Sequence, residues 1–247
     1  MIRRFLFSAV AVVAGTSMVA VAAPKDEITD AAKKLAAAPN YSWKSTTEMG
    51  GGGGGGRGFG GPTEGKAEKD GFTHLSMTRG DNTIEVVRKG DKGAVKMQDG
   101  WQSFEELSSD QGGGGQGRGR FMGRMLRNYK APAQEAADIA GKTKELKKSG
   151  DAYEADLTDE GVKDLLSFGG RRGGNAGGDA PPAPTNTSGK VKFWVKDGQL
   201  AKYEYNVKGT MSFQGNEREI DRTTTVEIKD VGSTKVEVPA EAKSKIG

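Results

Sequence analysis

The stretch from Gly189 to Pro239 constrains the fold of this chain more than any other part of the sequence. Apolar and polar residues alternate along it in three long runs, and a period of two is typical of β-strands whose two faces differ. Asp197 and Gly198 separate the first two runs, and this dipeptide favours the positive φ angles of a tight hairpin turn. The pattern predicts a meander of long antiparallel strands, with a short last strand at Val236 and Val238.

The second run of this meander has one apolar side, which is the predicted wall of any ligand cavity. Gly209 falls within that apolar phase, where a glycine is typical of a bulge, so we expect the sheet to bend there. The third run alternates in the same way and predicts the neighbouring strand. The residues of the apolar phase are Tyr203, Tyr205, Val207, Met211 and Phe213.

The preceding part of the chain adds helices and shorter strands. Helical spacing predicts a first helix over Pro24–Pro39, and Thr158 is suited to cap a helix over Asp159–Phe168. Helical spacing also covers much of residues 121–140, whereas alternation and glycine-containing turns predict short strands between Phe72 and Met97. The order of these elements predicts an α+β fold, in which helices pack on one face of a large antiparallel β-sheet.

Residues 1–22 have the composition of a secretory signal peptide. Arg3 and Arg4 precede an apolar run, and Ala20-Val21-Ala22 fits the small-x-small rule of leader-peptidase cleavage. An uncleaved anchor is the alternative, because the apolar stretch approaches the length of a bilayer span of about 20 residues. We expect cleavage, a single mature domain over residues 23–247 in the periplasm or secreted, and no transmembrane span after cleavage. The chain has no cysteine, which excludes both a disulfide and a lipid-modified cysteine.

Three glycine-rich segments interrupt the mature chain, at residues 50–61, 111–120 and 169–189. Glycine loses the most backbone entropy on folding, so these runs predict flexible loops. The net charge is only +4 and an exported protein rarely meets RNA, so no nucleic acid partner is expected. The arginines of these segments and of the helical stretch that follows the second one are instead a candidate anionic rim, which would attract lipid head groups or an anionic envelope polymer. They are Arg57, Arg118, Arg120, Arg124, Arg127, Arg171 and Arg172.

Residues that carry enzyme chemistry are scarce in this sequence. His74 is the only histidine, so a metal site would have to be built mainly from carboxylates, and any Ser-His-Asp triad would depend entirely on this residue. The phosphate-binding loop and the dinucleotide fingerprint are absent as well. We therefore expect no enzyme, no metal and no cofactor, and an ordinary sheet position for His74. A pocket that joins His74 to several carboxylates would revive the enzyme hypothesis.

The leader and five further segments together resemble a known family. The segments are AAAPNYSW, FTHLSMTRGDNTIEVVRKGDKGAVKMQDGW, DAYEADLTDEGVKDLLSF, KVKFWVKDGQLAKYEYNVKG and TTTVEIKDVGSTKVEVP. The resemblance is to the periplasmic lipoprotein-carrier (LolA-like) fold, which includes carriers of the LppX and LprG type. In that family a curved half-barrel sheet, with helices against its concave face, encloses an apolar cavity for acyl chains. The missing lipobox cysteine and the added arginine-glycine segments depart from the family pattern.

The resemblance implies an exported, non-enzymatic carrier that binds lipid acyl chains or lipoproteins between sheet and helices. On that hypothesis the apolar phase of the meander lines the cavity together with Met125, Leu165 and Leu166. The alternative is an envelope interaction or scaffold protein with a filled core, which binds a partner or polymer through its arginine-glycine loops. The volume of the space between sheet and helices is the observation that separates the two hypotheses.

Overall fold

The structure of the protein, a computed structural model, describes residues 23–50, 61–80, 82–97, 100–108, 116–167, 183–213 and 216–246. Within these ranges the chain forms an eleven-stranded antiparallel sheet and six helices. The strands are β1 (Asn40–Gly50), β2 (Thr63–Glu68), β3 (Thr73–Arg79), β4 (Asn82–Lys89), β5 (Lys92–Met97), β6 (Gly100–Ser103), β7 (Lys147–Ser149), β8 (Ala152–Asp156), β9 (Thr185–Lys196), β10 (Gln199–Phe213) and β11 (Asn216–Lys229). The helices are α1 (Pro24–Ala37), α2 (Phe104–Ser108), α3 (Gln116–Arg127), α4 (Pro132–Gly141), α5 (Asp159–Leu166) and α6 (Ala240–Ile246).

The sheet consists of two meanders that meet at one seam. The strand order is β6-β5-β4-β3-β2-β1-β11-β10-β9-β8-β7, so β1 and β11 are the only neighbours in it that are not consecutive strands. Their pairing runs from Ser42 opposite Lys229 to Gly50 opposite Asp221. The sheet is curved and open, and its edge strands β6 and β7 are four and three residues long. Edges this short limit pairing with other chains. The predicted α+β fold class is confirmed.

The main core lies between the concave face of the sheet and helices α1 to α5. Period-two alternation places Phe193, Tyr203 and Val226 side by side on that face, because each pairs across the sheet with the next. Apolar residues of the covering helices, among them Ile28 of α1 and Leu166 of α5, belong to the same buried cluster. Helix α6 packs on the opposite, convex face. There it forms a smaller cluster of Val87, Ala94, Trp101, Ala242 and Ile246.

The meander predicted from alternation is present in the structure. Asp197 and Gly198 have φ angles of 53° and 71°, as their tight turn between β9 and β10 requires. The register between β9 and β10 shifts between Lys208 and Thr210, which puts the expected irregularity at Gly209. The predicted cap of α5 is also present, because the side chain of Thr158 accepts a hydrogen bond from the Gly161 amide.

Several predicted boundaries were wrong. Val236 and Val238 form no strand, because the backbone amides of Thr234 and Val236 donate to the side chains of Asn40 and Glu68 instead of to a neighbouring strand. Parts of all three predicted loops are regular, since Gly50 belongs to β1, residues 116–120 to α3 and residues 185–189 to β9.

Strand β2 and helices α2 and α6 are further elements that the sequence did not predict. The predicted leader and the remainder of the three predicted loops lie largely outside the described residues. Among the helices that the structure describes, none has the length and apolar character needed to cross a membrane.

Candidate functional site

A small polar cavity lies in the middle of the main core, between the concave face and the start of α4. Its volume is about 80 Å³. A water molecule needs about 10–15 Å³ of such space, so the cavity has room for at least two or three water-sized groups. The cavity is lined by Trp43 and Ser45 of β1, Thr63 of β2, Tyr203 and Tyr205 of β10, Thr224 and Val226 of β11, and Tyr129, Pro132 and Glu135 on the helical side.

The local sequence explains why these side chains converge. Alternation along β10 puts Tyr203 and Tyr205 on the same face, opposite Val226 and Thr224 of β11. Helix α4 begins at Pro132, whose fixed φ and missing amide hydrogen suit the first helical position. Glu135 is in the first turn of that helix, where the helix dipole favours a negative charge. The buried side of α4 then holds this carboxyl group against the tyrosines.

Glu135 is the centre of the polar contacts. The Tyr203 hydroxyl donates to its Oε2 atom, and the Tyr205 hydroxyl donates to its Oε1 atom at 3.4 Å. Glu135 is partly exposed and lines the cavity. Burial raises the pKa of Glu135, and the hydrogen bonds from the two tyrosines together with the charges of Arg222 and Lys130 oppose that rise.

The tyrosines around Glu135 are neutral hydrogen-bond donors at ordinary pH. Burial raises the pKa of Tyr203, Tyr205 and Tyr129, and the nearby Glu135 carboxyl group raises each of them further. Tyr203 is 0% exposed and makes its contact with Glu135 through its only polar atom. The site therefore combines one ionisable group with hydroxyl groups that keep their protons.

Trp43 adds an N–H donor to the cavity wall. The residue is only 2% exposed, and its indole Nε1 lies in the wall without a well-aligned acceptor among the described residues, although the Tyr129 hydroxyl is close by. The ring needs the glycine opposite it, because a Cβ atom at Gly65 would lie 2.1 Å from the ring. Gly65 thus fixes where the indole can lie.

Arg222 is a second buried ionisable residue on the concave face. It is 6% exposed, and its Nη2 atom donates to the backbone carbonyl oxygen of Leu165 at 2.6 Å. Burial lowers its pKa, and the nearby Tyr205 and Glu135 oppose that effect. The arginine therefore connects the sheet beside the cavity to the C-terminal part of α5.

The predicted cavity residues come together in the main core. Tyr203, Tyr205, Val207 and Leu166 are buried there, and Met125, Leu165 and Met211 pack against the same cluster while partly exposed. The side chain of Phe213 lies outside the description. Of this set only the two tyrosines line the 80 Å³ cavity. Val207 and Leu166 are instead fully buried, each with 0% of its surface exposed.

The predicted anionic rim is only partly described. Arg57, Arg171 and Arg172 lie outside the described residues, and Arg118 and Arg120 are in α3 without described side chains. Arg124 and Arg127 are exposed. The Nη2 atom of Arg127 donates to the Phe104 carbonyl oxygen at 2.8 Å and to the Ser108 hydroxyl at 2.7 Å. A rim on which these arginines converge stays a prediction.

A larger groove, of about 520 Å³, lies away from the polar cavity, between β5, α2 and α6. Its charges are mixed, since Lys92, Arg127 and Lys245 share it with Asp91 and Glu105. Lys245 is already paired, because its Nζ atom lies 2.6 Å from Glu106 Oε1. The groove therefore has no single charge that would select a ligand class.

His74 lies on the convex face, opposite Lys66 of β2 and Val87 of β4. Burial lowers the pKa of its imidazole, and the charge of Glu85 opposes that effect. No group of three or more histidine, aspartate or glutamate side chains among the described residues could hold a metal ion. Because His74 lies on the convex face, the sheet separates it from the polar cavity on the concave face.

Comparisons with known proteins add two structural neighbours. No family model matches the chain, and no curated protein matches it. LprF from Mycobacterium bovis is similar with a TM-score of 0.43 and 9% identity, over 88% of this chain and 96% of that one. A LolA superfamily protein from Nitrosomonas europaea is similar with a TM-score of 0.34 and 10% identity, over the same shares. At these identities and TM-scores the ligand of neither protein can be transferred to this chain.

Proposed function

We propose that this protein is an exported, non-enzymatic carrier, which binds the acyl chains of a lipid or lipoprotein between the concave face and helices α3 to α5. The observation that supports this function is one continuous apolar layer in an open sheet, with a small cavity at its centre. The predicted cavity wall, including Val207 and Leu166, belongs to that layer. Small-molecule sites are lined mostly by apolar side chains, with a small number of polar groups among them.

The layer must open before an acyl chain can enter. Ligand sites usually measure about 300–1,000 Å³, whereas this cavity measures about 80 Å³. Helix α3 is suited to move, because it contains three glycines in twelve residues and each lowers helix stability by roughly 1 kcal/mol relative to alanine. Met122, Met125 and Met211 pack around the layer, and methionine side chains adapt readily to a new neighbour.

The free energy for opening comes from the ligand. Each methylene group moved out of water contributes about 0.8 kcal/mol, so ten buried methylenes contribute roughly 8 kcal/mol. That gain has to offset the contacts that Met122, Met125 and Leu126 lose when α3 moves from the sheet. Binding therefore depends on chain length, and short acyl chains bind weakly.

Native mass spectrometry of the full chain, purified from a host that exports it, tests this function. We expect mass adducts that extraction identifies as acyl lipids, and saturable binding of a fluorescent long-chain acyl probe. Met125→Trp fills the layer below α3 and should weaken probe binding about tenfold or more, because the added ring occupies the ligand's place. Val238→Trp adds the same ring beside the convex cluster and serves as the matched control. A protein with no adduct and no saturable probe binding is not a carrier.

Loop deletion separates the carrier from the envelope interaction protein. The alternative depends on Arg57, Arg171 and Arg172, which lie outside the described residues. Deleting residues 51–60 and 170–178 leaves the apolar layer intact, so a carrier keeps its affinity for the acyl probe. A loop-mediated binder would lose its polymer or protein partner in the same variant.

A further inference from the structure

Polar side chains converge inside an otherwise apolar layer. Trp43, Tyr129, Glu135, Tyr203 and Tyr205 all line the 80 Å³ cavity. A buried polar group without a hydrogen-bond partner destabilises a protein by roughly 1–3 kcal/mol, so a layer that served only acyl chains would gain from apolar residues here. The cavity is therefore suited to the polar part of a ligand.

The hydrogen-bond donors that line the cavity determine which polar group of a ligand it can bind. The indole N–H of Trp43 has no well-aligned acceptor among the described residues. Burial raises the pKa of Glu135, so a further negative charge beside its carboxyl group is disfavoured. The site consequently offers the Trp43 N–H as a donor and needs an uncharged acceptor oxygen.

Charged ligand groups do not suit this environment. Both carboxyl oxygens of Glu135 already accept hydrogen bonds from Tyr203 and Tyr205, and an ammonium group, which has donors only, would leave the Trp43 N–H without an acceptor. A phosphate or free carboxylate would bring a negative charge next to Glu135 in a desolvated site, which is strongly unfavourable. A neutral carbonyl oxygen has the required acceptor and no charge.

The size and position of the cavity fit an ester group. A volume of two or three water-sized groups accommodates the few heavy atoms of an ester. From Tyr205 the apolar side of β10 continues through Val207 to Met211, which at about 3.4 Å per residue is roughly 20 Å. A chain that starts at the cavity can therefore follow β10 toward the end of the sheet.

Building on the proposed carrier function, we propose that the polar cavity binds the ester carbonyl of an acyl chain, with Trp43 as a donor. The protein then selects acyl esters over chains of equal length that lack the carbonyl group. Free glycerolipids and the diacylglyceryl group of lipoproteins both carry this ester, and the ligand chemistry is the same for the two.

Paired ligands that differ only in the carbonyl group test the inference. The full chain is titrated with a diacylglycerol, with the dialkyl glycerol ether of the same chain length, and with a synthetic diacylglyceryl-cysteine peptide, each competing against the acyl probe. We expect the ester to bind about tenfold more tightly than the ether, the value of one buried hydrogen bond. If the diacylglycerol binds more tightly than the ether, the result supports a free lipid as the ligand. If only the peptide binds more tightly than the ether, the result supports a lipoprotein.

Variants test whether the preference for the ester over the ether depends on the cavity. Trp43→Phe removes the N–H donor and should bring the ester-to-ether ratio close to one, whereas Trp101→Phe on the convex face should leave the ratio unchanged. Tyr205→Phe is a second cavity variant if Trp43→Phe does not fold. Equal affinity of the wild-type chain for ester and ether overturns the ester subsite and leaves the carrier intact. Failure of all three ligands and the probe to bind overturns the carrier function itself.

Discussion

The two faces of the sheet are built differently, although both carry helices. The concave face has a large core, in which Arg222 is buried, and a cavity lined by Glu135 and several tyrosines. The convex face has a small cluster beneath α6. The first region thus mixes apolar burial with hydrogen-bonding groups, whereas the second docks the last helix on one part of the sheet.

The difference shows which face is suited to bind a ligand. Replacing buried ionic groups by apolar residues of similar volume is often neutral or stabilising by roughly 1–4 kcal/mol. Stability alone therefore gives no reason to keep Glu135 and Arg222 within the concave core. The convex cluster is explained by docking of the last helix, and its residues need no further role. Four sets of paired variants test how the two faces are built.

The largest expected difference comes from truncating one aliphatic residue on each face. Leu166→Ala removes a side chain that is 0% exposed in the large core, and should lower the free energy of unfolding by about 2–5 kcal/mol. Ile246→Ala acts on a 6% exposed residue in a small cluster at the last helix, where neighbours can close the gap, so we expect about 1–2 kcal/mol. Urea unfolding measures both. If Ile246→Ala lowers the free energy of unfolding as much as Leu166→Ala, or more, the expectation that the concave core contributes more stability is wrong.

The next effect tests the close packing of the cavity wall. Gly65→Ala should destabilise the protein by about 1–3 kcal/mol, because the new Cβ atom would lie 2.1 Å from the Trp43 ring and the indole must shift. Gly141→Ala is the matched control, since a Cβ atom there meets nothing within 4 Å. Thermal unfolding of both variants gives the comparison. If Gly65→Ala is as stable as its control, the indole position is not fixed by β2.

A smaller loss is expected from the cap of α5. Thr158→Ala removes the hydrogen bond that the Gly161 amide donates, and should cost about 1 kcal/mol. Ser167→Ala, at the other end of the helix, removes a hydroxyl that donates to the Lys163 carbonyl oxygen at an exposed site, and should change stability by less than about 0.5 kcal/mol. Chemical denaturation separates the two variants, and equal losses would show that the cap does not stabilise α5.

The subtlest expected effect is a difference in pH dependence between the faces. Burial raises the pKa of Glu135, so its contribution to stability is complete below its unfolded pKa near 4.5 and is lost as the pH rises through the folded value. Burial lowers the pKa of His74, so its contribution is complete above its unfolded pKa near 6.5 and is lost as the pH falls through the folded value. Tyr203 and Tyr205 have raised pKa values and do not titrate in this window.

Stability measured from about pH 4 to about pH 8 tests these signs. The advantage of the wild-type chain over Glu135→Gln should shrink as the pH rises. Its advantage over His74→Gln should shrink as the pH falls. Parallel curves for wild type and variant would mean that the corresponding group has the same pKa in the folded and unfolded chain.

The alternation of apolar and polar residues made the long strands predictable. The shorter elements lack such a repeat and could not be predicted from the sequence. β9 to β11 are 12 to 15 residues long and alternate clearly, so their positions follow from the sequence. β2 reads TEGKAE, and its inward residues are a threonine, a glycine and an alanine, which give no apolar signal. Helices α2 and α6 have five and seven residues, too short for a clear helical repeat. Their stability comes from packing, which the sequence alone does not display.

The residues that the sheet contributes to the candidate site could be predicted from the sequence, whereas the residue that helix α4 contributes could not. Tyr203 and Tyr205 were expected to form a cavity wall because they share the phase of β10. Glu135 looked like an ordinary acidic residue in the first turn of a helix, and its tyrosine partners are 68 and 70 residues away in sequence. Only the packing of α4 on the sheet reveals the contact.

The seam between β1 and β11 determines the order in which the molecule can assemble. The Ser42 hydroxyl donates to Asp230, which is 188 residues away, so this contact joins two of the most distant parts of the sequence. Contacts between distant residues form late and slow the folding of a domain. A chain synthesised from its N-terminus holds β1 with one unpaired side until β11 has left the ribosome. Trp43 and Val226 line the cavity from opposite sides of this seam, so the pocket is completed only when the chain is almost fully made.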